Sequence, residues 1–160
     1  MAGGPIFPNS AFPVTADTVF PNFHVGGGAN SKEDEGLGVS NGAVDGIWRL
    51  RFEMPPTLPT GTGKLRLLAL ANAATGVAKI NVKWASVAVE EDASSATLNA
   101  ETTRTVTWGT GDEDQYKEHK ETLDADTLVA SEMVVMDLVF EDTGWTLAVV
   151  STWIASVIWE

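Results

Sequence analysis

The chain has 160 residues, of which 44% are hydrophobic, and it carries a formal net charge of −12 with a sequence pI of about 4.4. This length suffices for one domain with a sizeable core. Nucleic acids and anionic membrane surfaces bind proteins through Lys and Arg, so the acidic balance argues against both as partners. The absence of cysteine excludes disulfides and thiolate metal sites.

Neither end of the sequence indicates a targeting or membrane segment. The first five residues lack the basic stretch and apolar run of a signal peptide. The most apolar stretch, residues 145–159, is interrupted by Thr and Ser and is shorter than the roughly 20 residues of a spanning helix. We therefore expect no signal peptide and no membrane partner.

The first 44 residues are rich in Gly and Pro, and their aromatic side chains occur in Phe-Pro pairs. Proline biases the preceding residue toward extended geometry, so each pair presents a ring from a straightened backbone. This pattern predicts an extended N-terminal arm over residues 1–44 that docks either on a neighbouring subunit or on its own domain. The predicted anchors of the arm are Phe7, Phe12, Phe20 and Phe23.

From residue 45 onward the hydrophobic pattern has a period of two. Trp48, Leu50 and Phe52 alternate with charged residues, which predicts a half-buried strand that stops at Pro55. Further strands are predicted over 64–70, 77–90, 98–108, 132–140 and 145–159. Together these segments predict a sandwich domain over residues 45–160.

Three details of this domain are specific enough to test. The parity of the segment 77–90 slips after Trp84, which suggests a bulge or bend near Ala85. The charged segment 115–123 suits either a strand or a helical turn. Residues 142–144, Asp-Thr-Gly, are typical of a short hairpin connection between the last two strands.

The pattern as a whole gives about eight strands and no convincing amphipathic helix. It predicts an all-β fold, an antiparallel β-sandwich of the jelly-roll type or another eight-stranded sandwich.

The sequence assembles no familiar active site. His24 and His119 are the only histidines, and both lie in settings that predict solvated surface residues. No metal-protease, nucleophile-elbow, phosphate-loop or dinucleotide motif is present. We therefore expect a protein without enzymatic activity and without a cofactor.

The abundant carboxylates fall in or beside predicted turns, where solvated turns are the simplest interpretation. Hard oxygen ligands of this kind can also bind calcium, although none has the spacing of an EF-hand loop. If an ion binds, Asp112 and Asp114 are the first candidates.

Six tryptophans are present, and five occupy strand positions whose parity points inward. Burial of an indole contributes far more to stability than exposure, so these five are predicted to lie in the core. They are Trp48, Trp84, Trp108, Trp153 and Trp159.

The remaining tryptophan, Trp145, follows Gly144 and is the one expected to be exposed. Exposed aromatic rings on a β-sandwich can stack on sugar rings. Trp145 and Tyr116 are therefore the candidate ligand-stacking residues of a carbohydrate-binding alternative.

The order of segments in residues 45–160 resembles the small jelly-roll structural proteins of tailed bacteriophage virions. The features that carry the resemblance are a Trp-containing strand ending in Met54-Pro55, an Ala-rich strand pair over 65–84, the Thr-Val-Thr-Trp strand at 105–108 and a closing hairpin over 133–160. The resemblance rests on strand order and general character.

The resemblance implies a capsid cement or decoration protein, a homotrimer that binds the major capsid protein or other virion proteins. It implies a virion location after synthesis in the bacterial host cytoplasm, which the lack of cysteine fits. An arm with several weak sites would raise affinity for a shell through effective concentration. The alternative is a neck- or tail-fibre-associated, or carbohydrate-binding, β-sandwich module.

Overall fold

A computed structural model of the chain describes residues 11–13, 22–24, 36–39, 46–71, 75–92, 94–147 and 151–160. These residues form eleven β-strands and no helix, in two antiparallel sheets, so the predicted all-β sandwich is confirmed. Within these ranges no helix is long and apolar enough to cross a bilayer.

The strands are numbered in chain order. They are β1 Ala11–Pro13, β2 Asn22–His24, β3 Gly36–Val39, β4 Gly46–Glu53, β5 Gly63–Ala71, β6 Gly76–Val87, β7 Asn99–Ala100, β8 Arg104–Trp108, β9 Lys117–Thr122, β10 Met133–Glu141 and β11 Ser151–Trp159.

Sheet I has the order β1-β4-β10-β6-β7, and β8 pairs with the free part of β6. Its centre is β10, which pairs along its length with β4 and β6, so that Leu138 lies between Trp48 and Val82. Sheet II has the order β2-β3-β11-β5-β9, with β5 between β11 and β9. The edge strands β8 and β9 thus belong to different sheets.

The core lies between the two sheets and follows the period-two pattern of the sequence. The inward faces of β4, β6, β10 and β11 bury alternate apolar side chains, including Val134, Met136 and Leu138 of β10. Each of the five tryptophans predicted to lie in the core is at most 8% exposed, which confirms that prediction.

Four aromatic side chains form one connected cluster that joins the sheets. Trp108 of β8 and Trp153 of β11 meet edge to face at 6.2 Å between ring centroids. Phe140 of β10 contacts Trp153 at 5.2 Å and Trp145 at 6.2 Å, again with steeply inclined planes. Such inclined arrangements are favourable for aromatic quadrupoles, so the cluster fixes one end of β8 against sheet II.

The bulge predicted near Ala85 is absent, and that prediction is wrong. β6 pairs with β10 residue for residue from Lys79 to Val87 without an extra residue on either strand. Ala85 and Val87 lie on the outer face by simple alternation, and both are buried there. The apparent slip arose because apolar residues occupy both faces at this end of the strand.

The predicted hairpin between the last two strands is also wrong. Residues 142–145 do form a tight turn, in which the Trp145 amide donates to the Asp142 carbonyl at 3.2 Å and Gly144 adopts a φ of 81°. The chain then crosses to the other sheet, because β10 pairs within sheet I and β11 pairs with β3 and β5 of sheet II.

The charged segment 115–123, whose sequence suits either a strand or a helical turn, contains strand β9. Three short stretches on the arm side of the predicted boundary at residue 44 also pair with the sheets. β1 pairs with β4, β2 with β3, and β3 with β11. The division into an arm of residues 1–44 and a domain of 45–160 stays a prediction.

Candidate functional site

A slot of 340 Å³ lies where the edge strand of sheet I faces the edge strand of sheet II. Within the described residues, β8 pairs only with β6, and β9 pairs only with β5, so the sandwich is open between them. The slot is lined by Thr105, Val106, Thr107, Tyr116, Lys117, Glu118 and His119.

Beside Thr105 and His119 of the slot, an ion pair bridges the two sheets. The Arg104 guanidinium donates to both carboxylate oxygens of Glu121, from Nε at 2.5 Å and from one terminal nitrogen at 2.9 Å. Glu121 is buried, and the pair raises the pKa of Arg104 above its ordinary value. A bidentate pair of this kind is geometrically specific, so it holds β8 and β9 at a fixed separation.

His119 lies on the inward face of β9 beside this pair. Its Nε2 is 3.5 Å from a carboxylate oxygen of Glu121, within ion-pair range, but it forms no hydrogen bond there. The side chain is one-fifth exposed, so the prediction that His119 is a solvated surface residue is wrong. His119 lines the slot, although its Nε2 atom is itself buried.

The turn between β8 and β9 contacts the slot residue Lys117 through Asp112. The Asp112 carboxylate accepts a hydrogen bond of 2.7 Å from the Gly109 amide and pairs with Lys117 Nζ at 2.7 Å. These contacts, the Lys117 hydrogen bond first, lower the pKa of Asp112 below its ordinary value. The Asp114 amide donates to the Ala71 carbonyl, which attaches the turn to sheet II.

Tyr116 follows this turn directly. Among the exposed large hydrophobic side chains of the described residues, it is the aromatic one, and its ring carries a hydroxyl group. It is 52% exposed and lines the slot, where an aromatic ring is accessible to a ligand. Tyr116 is also the only tyrosine of the chain. The structure therefore places one of the two predicted stacking residues at a concave surface.

The charged groups of the slot are already engaged with partners. Lys117 pairs with Asp112 at 2.7 Å, and Glu118 accepts a hydrogen bond from Arg66 of β5 at 2.5 Å. By contrast, Thr105 and Thr107 are exposed, and their hydroxyls take no part in the hydrogen bonds of the described residues. The slot thus presents hydroxyl and phenol groups rather than unpaired charge.

The other predicted stacking residue, Trp145, is not exposed, and that expectation is wrong. It is 6% exposed, packs against Phe140, and donates from Nε1 to the Leu147 carbonyl at 2.9 Å. After the turn, the amides of Thr146 and Leu147 donate to the Val77 carbonyl of β6, which holds this stretch against sheet I with the indole in the core. Trp145 cannot stack on a ligand in this arrangement.

Of the two candidate calcium ligands, Asp112 has its carboxylate engaged with protein groups. The Asp112 carboxylate accepts a hydrogen bond from the Gly109 amide in the turn and pairs with Lys117, while Asp114 adopts a left-handed backbone with a φ of 57°. Across the described ranges, no group of three or more His, Asp or Glu side chains is arranged to hold a metal ion. The geometry gives these two residues a role in the turn.

The predicted arm anchors fall partly outside the described residues. Phe7 and Phe20 lie there entirely. Phe12 is in β1, at the register position opposite Arg49, and Phe23 is in β2, opposite Leu37. Their role as anchors stays a prediction.

Sequence reasoning found Tyr116 but not the residues that face it. Thr105 and Thr107 are the exposed alternate residues of β8, and the sequence gives no indication of what lies opposite them. The sequence does contain one indication. A short, charged connection joins two strands whose alternate residues are polar, which is typical of edge strands.

Comparisons with solved structures return β-sandwich proteins. The chain is similar, at 15% identity and a TM-score of 0.51, to a structure of the N-terminal endo-1,4-β-D-xylanase 10B of Clostridium thermocellum, comprising CBM22-1 and GH10 modules complexed with xylohexaose. The match covers 95% of this chain and 26% of that one.

Two further similar structures are carbohydrate-binding modules. The family 11 module of Clostridium thermocellum in complex with a β-1,3-1,4-mixed-linked tetrasaccharide has 12% identity and a TM-score of 0.48, covering 92% of this chain and 86% of that one. A family 61 module in complex with β-1,4-galactotriose has 11% identity and a TM-score of 0.39, covering 99% and 88%. The sequence matches no protein-family model and no curated protein.

Proposed function

We propose that this protein is a carbohydrate-binding β-sandwich module and that the slot between β8 and β9 is its binding site. The observation that carries the proposal is the position of Tyr116, an exposed ring at the mouth of a concave surface with unengaged hydroxyls. Sugars present apolar ring faces between hydroxyl groups, so an aromatic platform with neighbouring polar groups suits them.

The fold supports the proposal at the level of the scaffold. The solved structure with the same sandwich over 95% of this chain contains a carbohydrate-binding module and was obtained with xylohexaose. A rigid pair of sheets can hold binding residues at its edges and loops without any catalytic group. The expectation that the chain is not an enzyme stays a prediction.

The test is affinity measurement with soluble oligosaccharides and a matched set of variants. Isothermal titration against cello-, xylo- and galacto-oligosaccharides is expected to give binding with at least one series. Tyr116→Ala is expected to weaken that binding at least fivefold, because stacking of one ring on an aromatic side chain contributes about 1–3 kcal/mol where it has been measured for nucleic-acid bases. Tyr116→Phe retains the ring and is expected to retain most of the affinity.

The control variant is Val89→Ala, which shortens an exposed apolar side chain in a turn away from the slot. It is expected to bind as the unaltered protein does. Binding that survives Tyr116→Ala unchanged would place the site elsewhere, and no binding to any of the three series would contradict the proposal.

The virion role implied by the sequence resemblance is compatible with this activity and remains a separate proposal. A sugar-binding module on a neck or tail fibre would combine the two. Light scattering, alone and with a candidate shell protein, tests the homotrimer and the capsid contact. A monomer that does not bind the shell protein would contradict the cement role. It would leave the proposal of carbohydrate binding unaffected.

A further inference from the structure

We infer that the slot accepts an uncharged saccharide of one or two rings, so that it recognises the end or a side branch of a neutral polysaccharide rather than the middle of its main chain. The inference rests on the proposed function, and it concerns the size and charge of the ligand at the same site.

The length of the slot limits the ligand first. On the β8 side the lining residues run only from Thr105 to Thr107. Two steps along a strand advance about 7 Å, at about 3.3 Å per residue, and the whole of β8 spans about 13 Å between its end residues. A main chain lying in such a short site would have to leave it at both ends.

Two sets of contacts flank the residues that line the slot. At one end Arg104 and Glu121 form their bidentate pair, with the carboxylate buried. At the other end the turn is held by Asp112, which contacts Gly109 and Lys117. A ligand of one or two rings fits between these flanking contacts, whereas a longer chain would extend past them.

The volume agrees with a small ligand. Binding sites for drug-sized molecules occupy about 300–1,000 Å³, and the slot, at 340 Å³, is near the lower limit. One exposed aromatic side chain, Tyr116, offers a platform for one ring, and a second platform is absent from the residues that line the slot.

The charge of the slot sets the second condition. Lys117 is engaged by Asp112, Glu118 by Arg66, and Arg104 by Glu121. A cationic ligand group would have to displace Lys117, Arg66 or Arg104 from its carboxylate. An anionic group would have to displace a carboxylate and would also be repelled by a protein whose net charge is −12. Neutral hydroxyls can instead exchange hydrogen bonds with Thr105 and Thr107 without breaking a pair.

The experiment is a calorimetric titration of the full chain with a length series, one to six rings, of whichever oligosaccharide binds. The affinity is expected to rise from one ring to two and then to stay within threefold up to six rings. An increase beyond threefold between two and six rings would overturn the inference, because it would show contacts along a continuous chain.

The charge condition is tested with the two-ring member and its analogue that carries a carboxylate on C6 of the terminal ring. The analogue is expected to bind at least fivefold more weakly, and a smaller difference would overturn the neutral class. Tyr116→Ala is titrated in parallel. If long or acidic chains bind best and still depend on Tyr116, the proposed function stands and this inference fails; if no sugar binds, both fail.

Discussion

Glu101 shows how one buried carboxylate can hold three segments together. Its carboxylate oxygen Oε1 accepts hydrogen bonds from Trp84 Nε1 at 2.8 Å and from the amides of Asp124 and Ala125 at 3.0 and 2.9 Å. Glu101 is 7% exposed, so water cannot replace its carboxylate as the acceptor for these donors. The residue links a core indole to the connection between β9 and β10.

Removal of this carboxylate is expected to destabilise the protein. Glu101→Ala would leave the Trp84 indole and two backbone amides without an acceptor, at a cost of about 3 kcal/mol in the free energy of unfolding. The exposed Glu113→Ala serves as the control and is expected to change it by less than about 0.5 kcal/mol. Urea unfolding followed by circular dichroism measures both, and equal losses would contradict the role assigned to Glu101.

Two exposed carboxylates predict how stability responds to acid. Contacts with Lys117 and Gly109 lower the pKa of Asp112, and contacts with Lys120 and Lys64 lower the pKa of Glu160. A carboxyl whose pKa is lower in the folded state stabilises the fold above the unfolded pKa, about 4, and this contribution is lost as the pH falls through the folded pKa.

The double variant Asp112→Asn/Glu160→Gln is therefore expected to lose less stability than the unaltered protein between about pH 4 and pH 2. Thermal melts across that interval measure the difference. Parallel pH profiles for the two proteins would show that these pairs do not contribute.

At the scale of elements, the sequence predicted what depends on local pattern. The alternation of Trp48, Leu50 and Phe52, and of Val134, Met136 and Leu138, predicted β4 and β10 together with their inward faces. Propensity and period are properties of a single strand, so a sequence reveals them directly.

What the sequence could not provide was the partner of each strand. The Asp-Thr-Gly turn before Trp145 is typical of a hairpin, yet it leads from sheet I to sheet II, because pairing is decided by distant strands. The exposure of Trp145 was mispredicted for the same reason. The slot was not foreseen either, since β8 and β9 face each other only after both sheets have formed.

The pair between Arg104 and Glu121 yields a prediction at this scale. Arg104→Ala would leave the buried Glu121 carboxylate without its cation and is expected to lower the melting temperature. The double variant Arg104→Ala/Glu121→Ala removes the orphaned charge and is expected to recover part of the loss. Calorimetry measures the melting temperatures of both variants. A double variant that is less stable than Arg104→Ala would contradict this account of the pair.

At the scale of the whole molecule, the sandwich depends on the aromatic cluster that joins its sheets. Trp153 is fully buried and contacts Trp108 and Phe140. Trp153→Ala is expected to cost about 3–5 kcal/mol, through lost burial and the cavity it leaves. Trp153→Phe retains most of the volume and is expected to cost less; equal losses in urea unfolding would indicate that packing of the ring is not the cause.

The central claim is that a sugar binds between β8 and β9 and stacks on Tyr116. The most direct measurement is nuclear magnetic resonance of the ¹⁵N-labelled protein during titration with the oligosaccharide that binds. The account predicts that amide shifts concentrate at residues 105–107 and 116–119, the residues that line the slot. Shifts confined to the outer face of either sheet, with those seven amides unmoved, would contradict it.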